Sequence, residues 1–294
     1  MITAFVILGV STMKKFVSII LVFVLMFFVS CKKADSPDSN SENVAEYSNL
    51  VDTDVQSELK ETLLSCGVPQ STVDTFFKDV NEYNETVENT TLIQSGYKAF
   101  DLSPVTYDED KLSELWNKKF PVFMGYNCKL TAFFLYKSFV RSNSVVSESE
   151  NEMSMLFTLS PEKAQTHFSK ADSDLFDTLY RTPKIKKSMT QKECVEIIKN
   201  AWNEYGVTFD ESEKIKLITV YTEDDYPEYH LEPVHAGLLF NEDGKLFFLE
   251  KLSFVKPYQY SYFENEKDLY NYLKNSFGED KKFFAVMKNA EVIE

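Results

Sequence analysis

Hydrophobic residues follow a helical period through the first half of this 294-residue chain and a strand period through much of the second. Apolar positions three and four residues apart mark one helix face, and they predict helices over 57–65, from Ser71, over 108–118 and 128–140, from Ser160 and over 190–205. Short β-branched and aromatic runs predict strands over 214–221, 235–240, 245–251 and 281–287, with one more helix over 266–277. Helices first and strands later indicate an α+β fold, with a helical N-terminal half and an antiparallel sheet in the C-terminal half.

Capping residues locate the starts of several helices. Asn127 is a good N-cap, which places Cys128 at the first helical position. Ser71 and Asp74 have the spacing of a capping box, and Pro161 suits the first turn of another helix. The helix that begins at Cys128 is apolar along most of its length, so we expect it to be buried on most sides.

The N-terminal thirty residues differ from the rest of the chain. Lys14 and Lys15 precede an apolar run over 16–29, and Ser30 then precedes Cys31. The apolar run is shorter than the roughly 20 residues that span a bilayer comfortably. A charged start, a short apolar core and a small residue before a cysteine are typical of a bacterial lipoprotein signal.

This pattern predicts a signal peptide over 13–30 and a lipid, such as palmitate, on Cys31. The protein is then extracytoplasmic and anchored to a bacterial membrane, at the cell surface or in the periplasm. Residues 1–12 are interpreted as an upstream start assigned too early, with Met13 as the true start. The alternative is one uncleaved anchor interrupted by two lysines.

Composition separates a tether from a domain. Residues 31–46 are rich in Ser and Asn and have no apolar period, so we expect a disordered tether. Residues 47–294 are enough for a single globular domain with a sizeable core. The sequence itself indicates no oligomeric state.

Net charge limits the partners. The whole chain carries −15 and becomes −17 without residues 1–30, which contain two lysines and no acid. Such a chain has no electrostatic footprint for nucleic acid. It would also be repelled by anionic headgroups, so we expect the lipid on Cys31, and not surface charge, to hold it at the membrane.

Cysteine use argues against a metal centre. With Cys31 assigned to the lipid, Cys66, Cys128 and Cys194 remain, and an odd number leaves at least one free thiol. No two cysteines have CxxC spacing, which disfavours a metal or thioredoxin-like site. We therefore expect no cofactor.

Cys128 is the candidate nucleophile. A thiol at a helix start faces unpaired N–H groups and the positive end of the dipole, both of which stabilise the thiolate. The same N–H groups can receive an oxyanion, with Tyr126 and Asn127 as neighbouring candidates for that site. The alternative is that Cys128 begins an apolar stripe and only packs.

His235 and Glu250 are the candidate base and orienting acid. Asp243-Gly244 is typical of a two-residue hairpin turn, which would pair Gly237 with Glu250; a four-residue loop would pair His235 with Glu250 directly. Either even loop places His235 and Glu250 on one face. A carboxylate beside a histidine stabilises the imidazolium that a nucleophilic cysteine needs. The alternative is a strand-edge histidine and an exposed glutamate.

The other two histidines are weaker candidates for a functional site. His167 lies within a predicted helix and has no obvious partner in the sequence. His230 follows an acidic loop over 223–229, interpreted as a solvated turn because it lacks the ligand spacing of a calcium loop.

A set of short motifs together resembles the bacterial lipoprotein family catalogued as domain of unknown function 4300. The matching segments are Tyr47–Leu50, 76–84, Gly125–Cys128, Thr131–Phe133, His235–Leu239, Phe248–Lys251 and Lys256–Gln259. The resemblance covers nearly the whole domain and implies the lipoprotein class, while the family brings no settled activity with it. In that family the position after Cys128 is usually Arg. Here it is Lys129, which matters if a planar, bidentate contact is needed there.

A looser resemblance is to papain-like cysteine hydrolases of the NlpC type, which cut cell-wall peptides. These also place a cysteine at a helix start, then a histidine and a polar residue on successive strands, the order of Cys128, His235 and Glu250. The usual Asp-Cys-Ser/Gly signature is absent, so this is a similarity of arrangement alone. It implies a papain-like fold and a peptide or cell-wall amide as substrate.

Two functional hypotheses follow. The first is a membrane-tethered cysteine amidase or peptidase that uses Cys128, His235 and Glu250. The second is a non-catalytic surface lipoprotein that binds a ligand or protein partner, with the aromatic segment 257–263 lining a groove or, alternatively, packing in the core.

Overall fold

Alternating apolar side chains build one large antiparallel sheet, which organises the rest of the chain. The computed structural model describes residues 45–146, 151–210, 212, 214–242 and 244–294. The predictions for the signal peptide, Cys31 and most of the tether lie outside these residues. The segment Glu42–Glu294 forms a compact unit.

Eight strands pair in the order β10-β9-β5-β6-β7-β8-β1-β2, with every neighbouring pair antiparallel. Their bounds are β1 Ala45–Ser48, β2 Lys98–Phe100, β5 Ile215–Asp224, β6 His230–Glu242, β7 Lys245–Lys251, β8 Tyr258–Phe263, β9 Phe284–Lys288 and β10 Glu291–Ile293. Two short strands, β3 Val140–Arg141 and β4 Thr208–Phe209, pair separately.

Nine α-helices lie within the described part of the chain. They are α1 Thr53–Ser65, α2 Gln70–Thr86, α3 Glu109–Lys119, α4 Cys128–Tyr136, α5 Glu152–Leu159, α6 Pro161–His167, α7 Lys170–Leu179, α8 Gln191–Tyr205 and α9 Glu266–Phe277. None of these helices combines the length and the apolar character needed to cross a membrane.

The sheet is buried on both faces. Side chains alternate along a strand, so Leu238 joins a large core with the helices α1–α8, whereas Leu239 joins a smaller core with α9. Phe247 and Phe248 divide in the same way. The two-sided burial explains why the central strands are apolar at successive positions.

The predicted α+β fold is confirmed, with helices dominating the first half and strands the second. The strand over 245–251 and the helix over 266–277 match their predicted bounds. The apolar helix that begins at Cys128 ends at Tyr136 instead of residue 140, and all nine of its residues are buried.

The capping box predicted at Ser71 is wrong. Helix α2 begins one residue earlier, after Pro69, and has no side-chain cap. Asp74 instead accepts hydrogen bonds from Lys60 and Gln70, each at 2.8 Å. The proline ring fixes the backbone of Pro69 just before the helix, so the helix starts there without a side-chain acceptor. The spacing of Ser71 and Asp74 alone therefore does not define a capping box.

Candidate active site

Helix α4 presents Cys128 at its first position, as predicted. The side chain of Asn127 accepts a hydrogen bond from the N–H of Leu130 at 2.9 Å and caps the helix. The first N–H groups of a helix have no partner within it. The N–H group of Leu130 donates to the cap, so the N–H groups of Cys128 and Lys129 remain available to another acceptor.

The turn before this helix depends on a glycine. Gly125 has a φ of +97°, which favours glycine, and a Cβ there would lie 3.2 Å from the carbonyl oxygen of Phe254 and 3.4 Å from Trp116. A side chain would therefore push the chain away from the 252–257 loop. The close approach fixes the path by which the chain enters α4.

A buried lysine holds that same loop. Lys251 donates to the carbonyls of Ser253 at 2.9 Å and Phe254 at 3.4 Å, and its ammonium lies 4.0 Å from the ring centre of Tyr83. Burial lowers the pKa of Lys251 well below its usual value, although the charge of Cys128 acts in the opposite direction. The loop, the helix start and the end of β7 are thus tied together.

Of the two even loops that the sequence allowed for the β6–β7 hairpin, the structure has the two-residue one, and His235 and Glu250 share a face as predicted. Glu242 pairs with Lys245, so the connection has two residues, and Gly237 pairs with Glu250. His235 is then the diagonal neighbour of Glu250. The Nε2 atom of His235 lies 2.7 Å from Oε2 of Glu250, and both side chains are fully buried.

Aromatic and polar groups hold this pair in place. The His235 ring stacks on Phe277 at the end of α9, with ring centres 4.5 Å apart and planes 19° apart. The second oxygen of Glu250, Oε1, accepts from the Tyr272 hydroxyl at 2.8 Å and from Gln259 at 3.4 Å. Because both oxygens have donors, the carboxylate has one defined orientation.

Cys128 meets His235 where β7 has ended. Pairing of β6 with β7 begins at Gly237, and Cys128 interacts with the two preceding residues of β6, His235 and Ala236. Burial raises the pKa of the Cys128 thiol, but the charge and hydrogen bond of His235 outweigh it, aided by Lys129 and Ala236. The net effect is a pKa below the ordinary value.

The pKa of His235 is shifted in the opposite direction, upward. Burial lowers its pKa, but the charge and hydrogen bond of Cys128, followed by those of Glu250, raise it to about 10. A lowered cysteine pKa beside a raised histidine pKa is the pattern of a thiolate–imidazolium pair. Because Nε2 of His235 is held by Glu250, Nδ1 is the ring nitrogen that remains to exchange a proton with the Cys128 thiol.

Lys129 forms an ion cluster beside the thiol. Its ammonium lies 2.6 Å from Glu152 and 3.5 Å from Glu232, and its side chain is 8 % exposed. Burial lowers the pKa of Lys129, while Glu152 and then Glu232 raise it more, so the net shift is upward. His230 also contacts Glu232 at 3.3 Å. A lysine ammonium is a compact charge, so it can interact with two carboxylates that lie in different directions from it.

A cavity of about 530 Å³ adjoins this cluster. Its lining combines charged and aromatic side chains, namely Lys129, Val146, Asn151, Glu152, Phe176, Asp177, Tyr180, Arg181, Thr182 and Glu232. Sequence reasoning missed Tyr180, which is 7 % exposed and interacts electrostatically with Cys128. It lies directly after α7, a helix that the apolar pattern did not predict, so no sequence signal linked it to Cys128.

Tyr126 and Asn127 already have protein partners. The Tyr126 hydroxyl lies 2.9 Å from Nδ1 of His167 and 3.2 Å from the Lys163 carbonyl, while Asn127 caps α4. Their assignment to an oxyanion site stays a prediction, and the backbone N–H groups of α4 are better placed for it than the Tyr126 hydroxyl.

His167 has partners that the sequence did not reveal. Its Nε2 forms a short contact with Asp79 of α2, and its ring lies among Tyr126, Phe134 and Phe168. Burial raises the pKa of Asp79, although His167 lowers it in part. This buried cluster packs against Tyr126, in the turn before Cys128.

The remaining thiols differ electrostatically from Cys128. All three described cysteines are free, and burial raises the pKa of both Cys66 and Cys194. Within the described residues, no group of histidine, cysteine and carboxylate side chains could hold a metal ion. Cys128 is therefore the thiol whose surroundings favour the thiolate.

The chain matches the model of a known family. The model of the family described as Domain of unknown function (DUF4300) matches residues 46–293. No curated protein and no solved structure matches the chain.

Proposed function

This chain belongs to the family described as a domain of unknown function (DUF4300), and we propose that it is a lipid-anchored cysteine hydrolase of the bacterial envelope. The observation that carries the proposal is the contact chain Cys128–His235–Glu250. It joins a thiol of lowered pKa, a histidine of raised pKa and a fully buried carboxylate. A nucleophile, a base and an orienting acid in contact are the arrangement of covalent acyl transfer.

The chemistry follows from the charges. The Cys128 thiolate attacks the carbonyl carbon of an amide, the C–S bond forms, and the carbonyl oxygen becomes an oxyanion. The N–H groups at the start of α4 stabilise that oxyanion. The His235 imidazolium donates its proton to the leaving nitrogen as the C–N bond breaks.

The second half regenerates the enzyme. His235, now neutral, takes a proton from water, and the resulting hydroxide attacks the thioester carbonyl. The C–S bond breaks, the carboxylic acid leaves, and the thiolate–imidazolium pair is restored. Glu250 holds the ring orientation and stabilises the imidazolium throughout.

The substrate class is an amide of a peptide or of cell-wall peptide. An extracytoplasmic position and the papain-like order of cysteine, histidine and acid both favour this class. The cavity of about 530 Å³ has room for a few residues of such a chain.

The activity is tested by trapping the acyl-enzyme. The full chain in detergent is incubated with cell-wall peptides and simple peptide amides, quenched in acid and digested for mass spectrometry. We expect a thioester adduct on Cys128, and hydrolysis that is lost in Cys128→Ala but retained in Cys194→Ala, which removes another buried thiol. Hydrolysis that survives Cys128→Ala, or a Cys128 never acylated by any of these amides, would overturn the hydrolase.

Lipidation is tested separately. We expect the membrane-extracted protein to begin at Cys31, to carry the mass of a lipid and to partition into detergent. Cys31→Ser should abolish both properties. A mature chain that retains residues 13–30, or one released by salt washing, contradicts the anchor.

The second candidate is a non-catalytic surface lipoprotein that binds a ligand. It is favoured by a large polar cavity next to a cysteine that is only 7 % exposed. The aromatic segment 257–263 is not the ligand groove, because Tyr258, Tyr260 and Phe263 are buried in the sheet. A Cys128 that neither acylates nor alkylates in the folded protein would make binding the better proposal.

A further inference from the structure

The hydroxyl of Tyr180 is a buried polar atom in the wall of the cavity beside Lys129, and the residue interacts electrostatically with Cys128. The hydroxyl has no hydrogen-bond partner among the residues that the structure describes. A buried donor without a partner destabilises the folded protein, because it has lost its hydrogen bonds to water. Such a group is expected to find its partner in another state of the protein, such as a complex with substrate.

Packing connects the Tyr180 ring, through Phe176, to the helix that carries Cys128. The ring contacts Phe176 at 4.8 Å between centres, and Phe176 contacts Phe133 of α4 at 5.4 Å, both edge-on. Tyr180 also lines the cavity together with Lys129. Tyr180 thus shares the cavity with Lys129, the residue that follows Cys128 in α4.

The phenol stays protonated in this position. Burial raises the pKa of Tyr180 well above its usual value, and the charge of Cys128 raises it further. A neutral phenol is a hydrogen-bond donor that does not lose its proton when a negative charge forms beside it. This is the property that an oxyanion donor requires.

We propose that Tyr180 donates its hydroxyl hydrogen to the oxyanion that forms when Cys128 attacks a carbonyl. It acts together with the free N–H groups at the start of α4, and it contributes a donor from the cavity side of the reacting carbon. This assignment rests on the proposed hydrolase function and adds a catalytic residue to it.

The test compares two reactions of the same thiolate. When a thiolate attacks p-nitrophenyl acetate, the C–S bond forms and gives a tetrahedral oxyanion, which then collapses as the C–O bond breaks and p-nitrophenolate leaves. Iodoacetamide alkylates it by displacing iodide, with no oxyanion. In the full chain, Tyr180→Phe should slow acylation of Cys128 by about 100-fold, the lower end of the loss for one oxyanion donor, and leave alkylation unchanged.

The alkylation rate also reports whether the site has folded. Tyr260→Phe is the matched control, because it removes another buried phenol that lies near Tyr97 and Glu242. Both of its rates should equal those of the unsubstituted protein.

Three other results would overturn the assignment. Equal slowing of both reactions means that Tyr180 acts on the thiolate or the fold, and slowing of neither means that its hydroxyl does not meet the oxyanion. If Cys128 of the unsubstituted protein alkylates but never acylates, the hydrolase proposal itself fails, and Tyr180 has no oxyanion to bind.

Discussion

Oε2 of Glu250 lies 2.7 Å from Nε2 of His235, yet the residue directly across the strands from Glu250 is Gly237. The contact is diagonal. A Cβ on Gly237 would lie 2.4 Å from Cζ of Phe248 and 2.8 Å from the carbonyl oxygen of Leu249. The pair therefore forms around a position at which a side chain does not fit.

Gly237→Ala should destabilise the fold and disturb the pair. Overpacking of this kind costs about 1–3 kcal/mol, and about 2–4 °C of melting temperature accompanies each kcal/mol in a domain of this size. Thermal unfolding followed by circular dichroism measures the loss. The double variant Gly237→Ala/Phe248→Leu should recover part of it, because leucine lacks the nearest ring atoms. Equal stability of Gly237→Ala and the unsubstituted protein would contradict the close contact.

His235 and Glu250 should act on Cys128 as a unit. His235→Ala removes the charge that lowers the pKa of Cys128 and leaves burial, which raises it. We expect this variant to lose the labelling of Cys128 by iodoacetamide at pH 6. Glu250→Gln keeps a hydrogen-bond acceptor near His235 but removes its charge, so its loss should be smaller.

Folding must be checked in both variants, since a misfolded site would imitate a loss of reactivity. Circular dichroism and melting temperature provide that check. If both variants fold and Cys128 labels as fast as before, the three residues do not work together.

The rate of alkylation should depend on pH differently for the three described thiols. As the pH falls through the lowered pKa of Cys128, the thiolate is protonated and its reactivity is lost. Burial raises the pKa of Cys66 and Cys194 above the ordinary value of 9.0, so their thiolates form only at higher pH. Mass-spectrometric labelling rates from pH 5 to 10 should place the midpoint of Cys128 lowest. A midpoint above that of Cys66 would exclude the thiolate–imidazolium pair.

Local signals explain which parts of this site the sequence could predict. The N-cap before Cys128 and the short, even-length turn between β6 and β7 are short-range features. They correctly predicted the helix start at Cys128 and the common face of His235 and Glu250. The approach of Cys128 to His235 is tertiary, since it depends on where β7 ends and how α4 packs on the sheet. The residue types, a thiol and an imidazole, suggested that Cys128 and His235 meet. No pattern in the sequence could show that they do.

The missed contacts lacked any local signal. Asp79, Tyr126 and His167 come from separate parts of the chain and meet only when α2 and α6 pack together. Of the two interpretations of the aromatic segment 257–263, lining a groove or packing in the core, the structure supports core packing, because Tyr258, Tyr260 and Phe263 of β8 are buried. Aromatic residues at alternating positions suit either interpretation, so the sequence alone did not distinguish them.

Lys129 should be essential to the charge balance beside Cys128, because it separates Glu152 from Glu232. Lys129→Met leaves both carboxylates without this cation and should cost about 2 kcal/mol, below the value for fully buried pairs because the glutamates are partly exposed. Lys129→Arg keeps the charge and should retain most of the stability.

Lys60→Met is the matched control, because it breaks the exposed pair with Asp74 and should cost less than about 1 kcal/mol. Urea unfolding at pH 7 distinguishes these outcomes, and equal losses in Lys129→Met and Lys60→Met would show that the buried cluster contributes no more than a surface pair.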